Sequence, residues 1–204
     1  MKEGKEILRN PVMNKKARCS GRDLNGMFNA ATRWLERSAQ SINALNVFPV
    51  PDGDTGINML LTMRAATEEA NRTSGAGAAT VAQAMARGSL MGARGNSGVI
   101  LSQIFRGLAH GLDKKRTFSA NDFANALAES ADFAYKGVTK PVEGTILTVI
   151  REAAAAAQAK SSSNNTDMLS MMETVVEEAK ASVARTPSLL PVLRQAGVVD
   201  AGGQ

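Results

Sequence analysis

Residues 46–59 read Asn-Val-Phe-Pro-Val-Pro-Asp-Gly-Asp-Thr-Gly-Ile-Asn-Met, and the rest of the chain is organised around this stretch. The two prolines restrict the backbone before the acidic residues, because each fixes its own φ and disfavours a helical conformation in the preceding residue. Gly53 permits a tight turn that brings the carboxylates of Asp52 and Asp54 to the same side. Thr55 is a favourable N-cap, so the acidic turn is predicted to lie directly before a helix.

Two carboxylates before a helix N-terminus suit a magnesium–phosphate site, because hard oxygens bind the metal while free backbone amides bind the phosphates. The alternative is an ordinary surface turn with both side chains solvated. Val47, Phe48 and Val50 argue against a free turn, since apolar flanks anchor it to a core. Two carboxylates about 4 Å apart also repel by on the order of 4 kcal/mol at an effective dielectric of about 20, which a bound cation would offset. Both interpretations stay open on the residues alone.

The composition predicts a helical domain. Of the 204 residues, 44% are apolar but only 4% are aromatic, and a core of small, unbranched side chains favours packed helices. No apolar run reaches the roughly 18 residues that span a bilayer, so we expect no stable membrane insertion. The one cysteine, Cys19, excludes an intrachain disulfide and fits the reducing cytoplasm, and the N-terminus lacks the apolar stretch of a signal peptide.

The net charge of +5 is concentrated at the N-terminus. Residues 1–18 carry six basic and two acidic side chains, a surplus of four, which leaves about +1 (five minus four) for the remainder. A nucleic-acid-binding protein carries its positive charge on the folded body, with aromatic side chains for base stacking. We therefore expect no nucleic-acid partner, and we divide the chain into a flexible basic leader over residues 1–19 and a folded domain over residues 20–204.

Apolar residues recur at spacings of three and four along most of the chain, and no segment shows a sustained alternation. The pattern predicts an all-α fold of eight helices in which successive helices are antiparallel neighbours. Trp34 falls in the first helix, and we assign it to the core. The predicted helices cover about 22–45, 56–70, 80–90, 99–110, 119–135, 143–160 and 167–186, with a short eighth helix between Pro187 and Gly197.

A second segment with candidate chemistry is the glycine-rich stretch over residues 92–98, Gly-Ala-Arg-Gly-Asn-Ser-Gly. Such a turn before a helix can bind a phosphate with its amides, although an ordinary helix–helix turn looks the same, and no Walker A pattern follows. His110 is the only histidine, so it supports neither a zinc site nor a Ser-His-Asp triad, and we assign it a structural role. Glu143, Arg151 and Glu152 are expected to be solvated.

Four segments resemble the nucleotide-binding domain of the dihydroxyacetone kinase L-subunit superfamily. They are residues 46–59, residues 92–98 with their Arg-Gly-Asn-Ser-Gly core, Pro-Val-Glu-Gly-Thr-Ile-Leu over residues 141–147, and the terminal Asp-Ala-Gly-Gly over residues 200–203. The wording Asn-Ala-Leu-Asn-Val-Phe-Pro-Val-Pro-Asp-Gly-Asp-Thr-Gly over residues 43–56 is highly specific and is similar to the catalytic subunit of bacterial fatty acid kinases. The resemblance covers residues 20–204 and implies an eight-helix antiparallel barrel with ATP at one end.

The resemblance also implies which residues bind the nucleotide and its metal. Asp52 and Asp54 correspond to aspartates that hold two magnesium ions, and Asn46 stands where those proteins have a third aspartate. The residues that correspond to nucleotide contacts are Thr55, Gly56, Ile57 and Asn58 at the start of the second helix, Asn96, Ser97 and Gly98 in the glycine-rich segment, Thr145 and Ile146 beside the adenine, and Asp200, Ala201 and Gly202 near the chain end, where Ala201 replaces a proline.

By this resemblance the chain is expected to be an ATP- and magnesium-dependent phosphotransferase that binds ATP or ADP. The implied acceptor is the carboxylate of a fatty acid, which a separate fatty-acid-binding carrier protein presents and which becomes an acyl phosphate. Two alternatives stay open: a kinase for dihydroxyacetone or another small hydroxyl compound, and a nucleotide-sensing module without turnover. The Gly-Gly near the end indicates a fragment of a longer protein, and a homodimer is left open.

Overall fold

The computed structural model describes residues 17–73, 75–162 and 166–204, so most of the predicted leader, residues 1–16, lies outside the described residues. Within the described ranges there are eight helices and two strands of two residues each, which confirms the all-α prediction. No helix in these ranges is long and apolar enough to cross a membrane. The elements are β1 (Cys19–Ser20), α1 (Gly21–Asn43), α2 (Thr55–Asn71), α3 (Ala78–Gly92), α4 (Gly95–Gly111), β2 (Thr117–Phe118), α5 (Ala120–Lys136), α6 (Ile146–Ser161), α7 (Met168–Leu189) and α8 (Pro191–Ala196).

Capping side chains define the starts of four helices, and in α6 the cap is Thr145, whose Oγ1 accepts a hydrogen bond from the amide of Leu147 at 3.3 Å. Ser20 precedes α1 and Ser119 precedes α5, and each serine forms a capping box with the aspartate three residues further on. Asp167 precedes α7, and its carboxylate accepts a hydrogen bond from the amide of Ser170 at 2.9 Å. The helices α5 and α7 therefore begin within one residue of their predicted starts at residues 119 and 167.

Several helices begin elsewhere than predicted. The observed first residues are Thr55 in α2, Ala78 in α3, Gly95 in α4 and Ile146 in α6. The helix α3 begins two residues before its predicted start at Thr80, and the amide of its first residue, Ala78, donates to the carbonyl of Arg116 at 3.0 Å. In α6 the start is delayed because Gly144 has a φ of 80°, a left-handed conformation that cannot continue a right-handed helix.

α7 continues past its predicted end at Thr186 to Leu189, although Pro187 lies within it. Proline has no N–H to donate to the carbonyl of Val183 four residues earlier. The hydroxyl of Thr186 donates to that carbonyl instead, at 2.7 Å, so the last turn keeps its hydrogen bonding. The short α8 ends at Gly197, whose φ of 68° provides the predicted stop.

Successive helices pack side by side in antiparallel order. The start of α2 meets the end of α1, where a Cβ on Gly56 would lie 2.2 Å from the carbonyl oxygen of Ala39. The end of α2 meets the start of α1, where Asn25 Nδ2 donates to Asn71 Oδ1 at 2.8 Å. The prediction that successive helices are antiparallel neighbours is thus confirmed for this pair.

α4 and α5 also approach each other closely, because two glycines of α4 lie at their contact. A Cβ on Gly107 would lie 2.4 Å from the carbonyl oxygen of Glu129, and a Cβ on Gly111 would lie 2.4 Å from Cα of Ala126. The contacts run in opposite directions along the two helices, so this pair is also antiparallel. Large apolar side chains fill the space between the helices. Those that are essentially fully buried include Leu24, Met85, Phe105, Leu112, Phe118, Met171 and Leu193.

Trp34 is exposed, which corrects its assignment to the core. It is 71% exposed, whereas Leu24 is fully buried on the same helix. The buried stripe of α1 includes Thr32, Ala39 and Ile42. Because each residue advances about 100° around a helix, Trp34 points roughly 200° away from Thr32, two residues earlier.

Cys19 is packed into the fold. It is 2% exposed, and its strand pairs antiparallel with β2, with Cys19 opposite Phe118. Arg18 adds a hydrogen bond from Nε to Oγ1 of Thr117 at 2.8 Å. The folded region therefore includes residues 18 and 19, which the sequence analysis placed in the leader.

The α4–α5 contact predicts opposite effects for two glycine substitutions. Gly107→Ala should lower the free energy of unfolding by about 1–3 kcal/mol, because the added methyl overlaps the backbone of α5. Gly26→Ala should raise it by about 0.5–1 kcal/mol, since Gly26 lies inside α1 with nothing within 4 Å of the new Cβ. Chemical denaturation of both variants measures the two changes in the free energy of unfolding. Equal changes would contradict the close contact of Gly107 with the backbone of α5.

Candidate functional site

A cavity of about 560 Å³ is lined by most of the residues that the sequence predicts to bind nucleotide or metal. It lies where the loop between α1 and α2 meets the starts of α4 and α6 and the last residues of the chain. Segments that are far apart in the sequence thus share one space. The nominated residues that line it are Asn46, Asp52, Asp54, Thr55, Asn58, Asn96, Ser97, Thr145, Ile146, Asp200 and Gly202.

Other nominated residues, all within the described part of the chain, do not line the cavity. Gly56 and Gly98 instead permit close helix packing, since an added Cβ would lie 2.2 Å from a backbone oxygen of α1 and 2.4 Å from the hydroxyl of Thr62, respectively. Ala201 is only 4% exposed and belongs to the packed interior, and Ile57 is 36% exposed. The structure thus places these four residues outside the lining of the cavity.

Asn46 holds the acidic loop in place through its side chain. It is buried, and its Oδ1 accepts hydrogen bonds from the hydroxyl of Thr55 at 2.7 Å and from the amides of Asp54 and Thr55 at 3.3 and 3.2 Å. Its Nδ2 donates to the carbonyl of Val50 at 2.8 Å. Because three donors already surround Oδ1, a metal ion at Asn46 would have to displace at least one of these hydrogen bonds.

Asn43, which the sequence analysis overlooked, closes the rest of the α2 N-terminus. Its Oδ1 accepts hydrogen bonds from the amides of Gly56 at 2.8 Å and Ile57 at 3.2 Å. With Asn46, it satisfies the amides of residues 54–57, which would otherwise be unpaired at a helix start. The expectation that this helix end offers free amides to phosphate is therefore corrected. Asn43 is the first residue of the specific motif over residues 43–56, and that position was the available signal.

The N-terminus of α4 is open where that of α2 is closed. Its N-cap, Arg94, provides no side-chain cap, and the amides of Gly95, Asn96 and Ser97 have no acceptor among the described residues. Gly95 has a φ of 58°, and an added Cβ would lie 2.5 Å from Nδ2 of Asn58, so glycine is required there. Open amides at the positive end of a helix dipole suit an anion such as phosphate.

Asp52 and Asp54 line the same cavity with available carboxylates. Gly53 between them has a φ of 69°, the left-handed conformation that the predicted tight turn requires. Neither carboxylate has a hydrogen-bond or ion-pair partner in the described ranges. The same ranges contain no group of three or more His, Cys, Asp or Glu residues suited to a metal. Two free carboxylates fit Mg²⁺, which commonly takes one or two from the protein and its other ligands from water and phosphate.

Asp200 is a buried acid that joins the end of the chain to α6. It is 5% exposed, its amide donates to Thr186 Oγ1 at 3.0 Å, and its Oδ2 accepts from the amide of Gly203 at 2.8 Å. Burial raises the pKa of Asp200 to about 6, although hydrogen bonds from the amides of Gly203, Ile146 and Gly202 oppose that rise. The carboxyl group therefore fixes the terminal segment against the start of α6, at the edge of the cavity.

Part of the cavity lining was not predicted from the sequence. Lys140 lines it from the connector between α5 and α6, directly before the motif over residues 141–147. The position of Lys140 directly before that motif was the one feature of the sequence that could have indicated its place on the cavity. An apolar portion of the lining was likewise not anticipated. It consists of Phe48, Pro49, Val50, Val138 and Val142.

The charged residues expected to be solvated are paired instead. Arg151 Nη1 donates to Glu143 Oε1 at 2.7 Å, and Arg185 Nη2 donates to Glu152 Oε2 at 2.6 Å. These groups are partly exposed, so each ion pair contributes at most about 1 kcal/mol. His110 Nδ1 lies 3.0 Å from a carboxylate oxygen of α5 and is outside the cavity, in keeping with a structural role.

Asn46→Ala should destabilise the protein even without any metal. The substitution leaves the buried amide and hydroxyl of Thr55, and the partly buried amide of Asp54, without their acceptor, at a cost of about 1–3 kcal/mol. Denaturation in the presence of a chelator measures this loss. Asn58→Ala is the matched control, because the Asn58 side chain also lines the cavity but has no hydrogen-bond partner among the described residues. Equal stability of Asn46→Ala and the wild type in chelator would contradict the structural role.

Asp200 predicts a specific pH dependence of stability. Since burial raises its pKa from 3.8 to about 6, the folded state binds the extra proton more tightly than the unfolded state. The resulting stabilisation is present below about pH 4 and is lost as the pH rises through 6. Asp200→Asn should remove this dependence, so the stability difference between variant and wild type should change by on the order of 2–3 kcal/mol between pH 4 and 7.

Urea denaturation at a series of pH values measures the Asp200 effect. Asp132→Asn, at a carboxylate that is 67% exposed, is the control and should give a curve parallel to that of the wild type. A constant difference between Asp200→Asn and the wild type over this range would show that the buried acid does not titrate there.

Comparison with known sequences identifies the family to which this chain belongs. The sequence model of the DAK2 domain matches residues 49–204. The chain is 50% identical over 184 residues to the protein YloV of Bacillus subtilis, covering 90% of this chain and 33% of YloV. It is 48% identical over 170 residues to an uncharacterized protein of Staphylococcus saprophyticus, covering 83% of this chain and 31% of that protein. The chain thus spans about a third of the length of the curated relatives it matches. The resemblance is confirmed, and the chain belongs to the DAK2 domain family of kinase-like nucleotide-binding domains.

Proposed function

We propose that this domain binds magnesium and ATP in the cavity and transfers the terminal phosphoryl group to an acceptor. The observation that carries the proposal is the presence, on one cavity, of the available carboxylates of Asp52 and Asp54 and the open amides of α4. A metal–nucleotide complex needs both, because carboxylates bind the cation and amides bind the phosphates. Membership of the DAK2 domain family supports the same function.

The groups on the cavity divide the task of binding between them. Asp52 and Asp54 would hold Mg²⁺, which when bound neutralises charge on the phosphates. The amides of residues 95–97 would donate to phosphate oxygens and orient the phosphate chain. An apolar wall is available for the adenine. It consists of Val99, Ile100, Ile146 and Leu147.

We propose that the acceptor is the carboxylate of a fatty acid. A carboxylate is ionised at neutral pH, so its attack on the terminal phosphorus needs no general base. One carboxylate oxygen forms a bond to phosphorus while the bond from phosphorus to the ADP oxygen breaks, giving acyl phosphate and ADP. His110, the only histidine of the chain, lies outside the cavity, which supports an acceptor of this kind. The apolar lining over residues 48–50 further supports an acceptor with an apolar tail.

We further propose that a separate fatty-acid-binding carrier protein presents the acyl chain. The support is the resemblance of residues 43–56 to the catalytic subunit of fatty acid kinases. The matched region is only 33% of YloV, so a relative of this length has ample further chain with which to bind a carrier. On this view the present chain binds Mg-ATP but phosphorylates an acyl substrate poorly by itself.

A nucleotide-sensing module without turnover is the second candidate. The observation that favours it is the absence, among the described residues, of a group of three acidic or other metal-binding side chains. A coupled assay for ADP release separates the candidates. Slow release with oleate and carrier that exceeds the rate without carrier supports the fatty acid kinase, and release with dihydroxyacetone alone supports a kinase for hydroxyl compounds. Release that stays at the background rate with either substrate supports a sensor.

Calorimetric titration with ATP tests the metal site directly. We expect magnesium to strengthen ATP binding to the wild type at least tenfold, and Asp52→Asn and Asp54→Asn each to remove most of that gain, because a neutral amide cannot replace the charge of the carboxylate. Asp132→Asn is the control, since its carboxylate lies on α5 and pairs with Lys136. Magnesium-dependent binding that is unchanged in both cavity variants would refute the assignment.

A further inference from the structure

The connector between α5 and α6, residues 137–145, forms one wall of the cavity and is anchored at both ends. At its start the amide of Gly137 donates to the carbonyl of Phe133 at 2.9 Å, which ties it to the last turn of α5. Towards its end Gly144 has a φ of 80°, and an added Cβ would lie 2.9 Å from Cβ of Leu190. The connector is therefore packed against the end of α7, and its position relative to the cavity is fixed.

Glu143 supplies the main anchor of the connector. Its Oε1 accepts hydrogen bonds from Tyr135 Oη at 2.9 Å and Arg151 Nη1 at 2.7 Å, and its Oε2 accepts one from Thr148 Oγ1 at 2.6 Å. Burial, and then the hydrogen bond to Glu143, raise the pKa of Tyr135 to about 12, so the phenol keeps its proton and remains a donor. These bonds tie the connector to α5 on one side and to α6 on the other.

Lys140 extends from this anchored connector with its charge unused. It lines the cavity, and it makes no hydrogen bond or ion pair with any described residue. Among the described residues that line the cavity it is the only cation, while Asp52, Asp54 and Asp200 also line it. A lysine beside carboxylates commonly pairs with one of them, and Lys136, only four residues earlier, does so with Asp132 at 3.1 Å. The unused charge of Lys140 is thus available to an anionic ligand.

We propose that Lys140 binds the terminal phosphate of the nucleotide and stabilises the charge on the phosphoryl group during its transfer. This inference rests on the proposed function. A terminal phosphate carries about −1.5 to −2 charge at pH 7, more than a phosphate inside the chain, so it has the greatest need of a cation besides the metal. Lysine suits this task because its ammonium is a compact charge on a flexible stem. The anchored connector fixes the backbone of Lys140 beside the cavity, so only the lysine side chain has to be ordered when the ligand binds.

Calorimetric titrations with Mg-ATP and Mg-ADP test the proposal. Lys140→Ala should weaken Mg-ATP binding by about tenfold and Mg-ADP binding by less than about threefold, because only ATP has the γ-phosphate that the lysine is proposed to bind. Lys140→Arg should keep most of the preference for ATP. Lys136→Ala, the matched control outside the cavity, should bind both nucleotides like the wild type. Thermal unfolding should be unchanged in Lys140→Ala, since Lys140 has no partner to lose among the described residues.

Three results would overturn the proposal. Equal weakening of ATP and ADP binding would place Lys140 elsewhere on the nucleotide, and unchanged binding of both would remove it from the nucleotide site. Unchanged ATP affinity together with a raised KM for the acyl acceptor would assign the lysine to the acceptor instead. A wild-type chain that binds neither nucleotide would refute the proposed function itself, and that outcome is distinguishable because it does not depend on Lys140.

Discussion

The hydrogen bonds of the Asn46 side chain are the interaction on which the cavity depends. One buried amide group binds the carbonyl of Val50 on one side of the acidic turn and the amides of Asp54 and Thr55 on the other. The turn itself projects both carboxylates without any partner for them among the described residues. A loop that must present unpaired charge cannot be held by that charge, so a neutral side chain beneath it has to supply the hydrogen bonds.

Two of the helix N-termini at the cavity, those of α2 and α4, differ in how their first amides are hydrogen-bonded. Asn43 and Asn46 satisfy the first amides of α2, whereas the first amides of α4 have no acceptor among the described residues. A closed helix end stabilises the acidic loop that precedes it, while an open one leaves donors for a ligand. The cavity thus places groups suited to a cation beside groups suited to an anion, which is the arrangement that a metal–nucleotide complex requires.

Two further ionisable side chains, Asp200 and Lys140, line the cavity. Burial raises the pKa of Asp200 to about 6, so its carboxyl group takes part in packing and carries its charge at a cost. Lys140 is exposed and has no partner among the described residues, so its charge remains available to a ligand. In the proposed function the buried acid shapes the cavity, and the free lysine and the two free aspartates bind the ligand.

The all-α class, the approximate helix ranges and the membership of the DAK2 domain family could be predicted from the residues alone, because helical periodicity and sequence motifs are local properties. Many of the residues that line the cavity were predicted in the same way. Four features required the folded structure: the three donors around Asn46, the closure of α2 by Asn43, the exposure of Trp34 and the position of Lys140 on the cavity. These facts depend on which groups from distant segments meet, and a side chain's partners cannot be read from its own neighbours in the sequence.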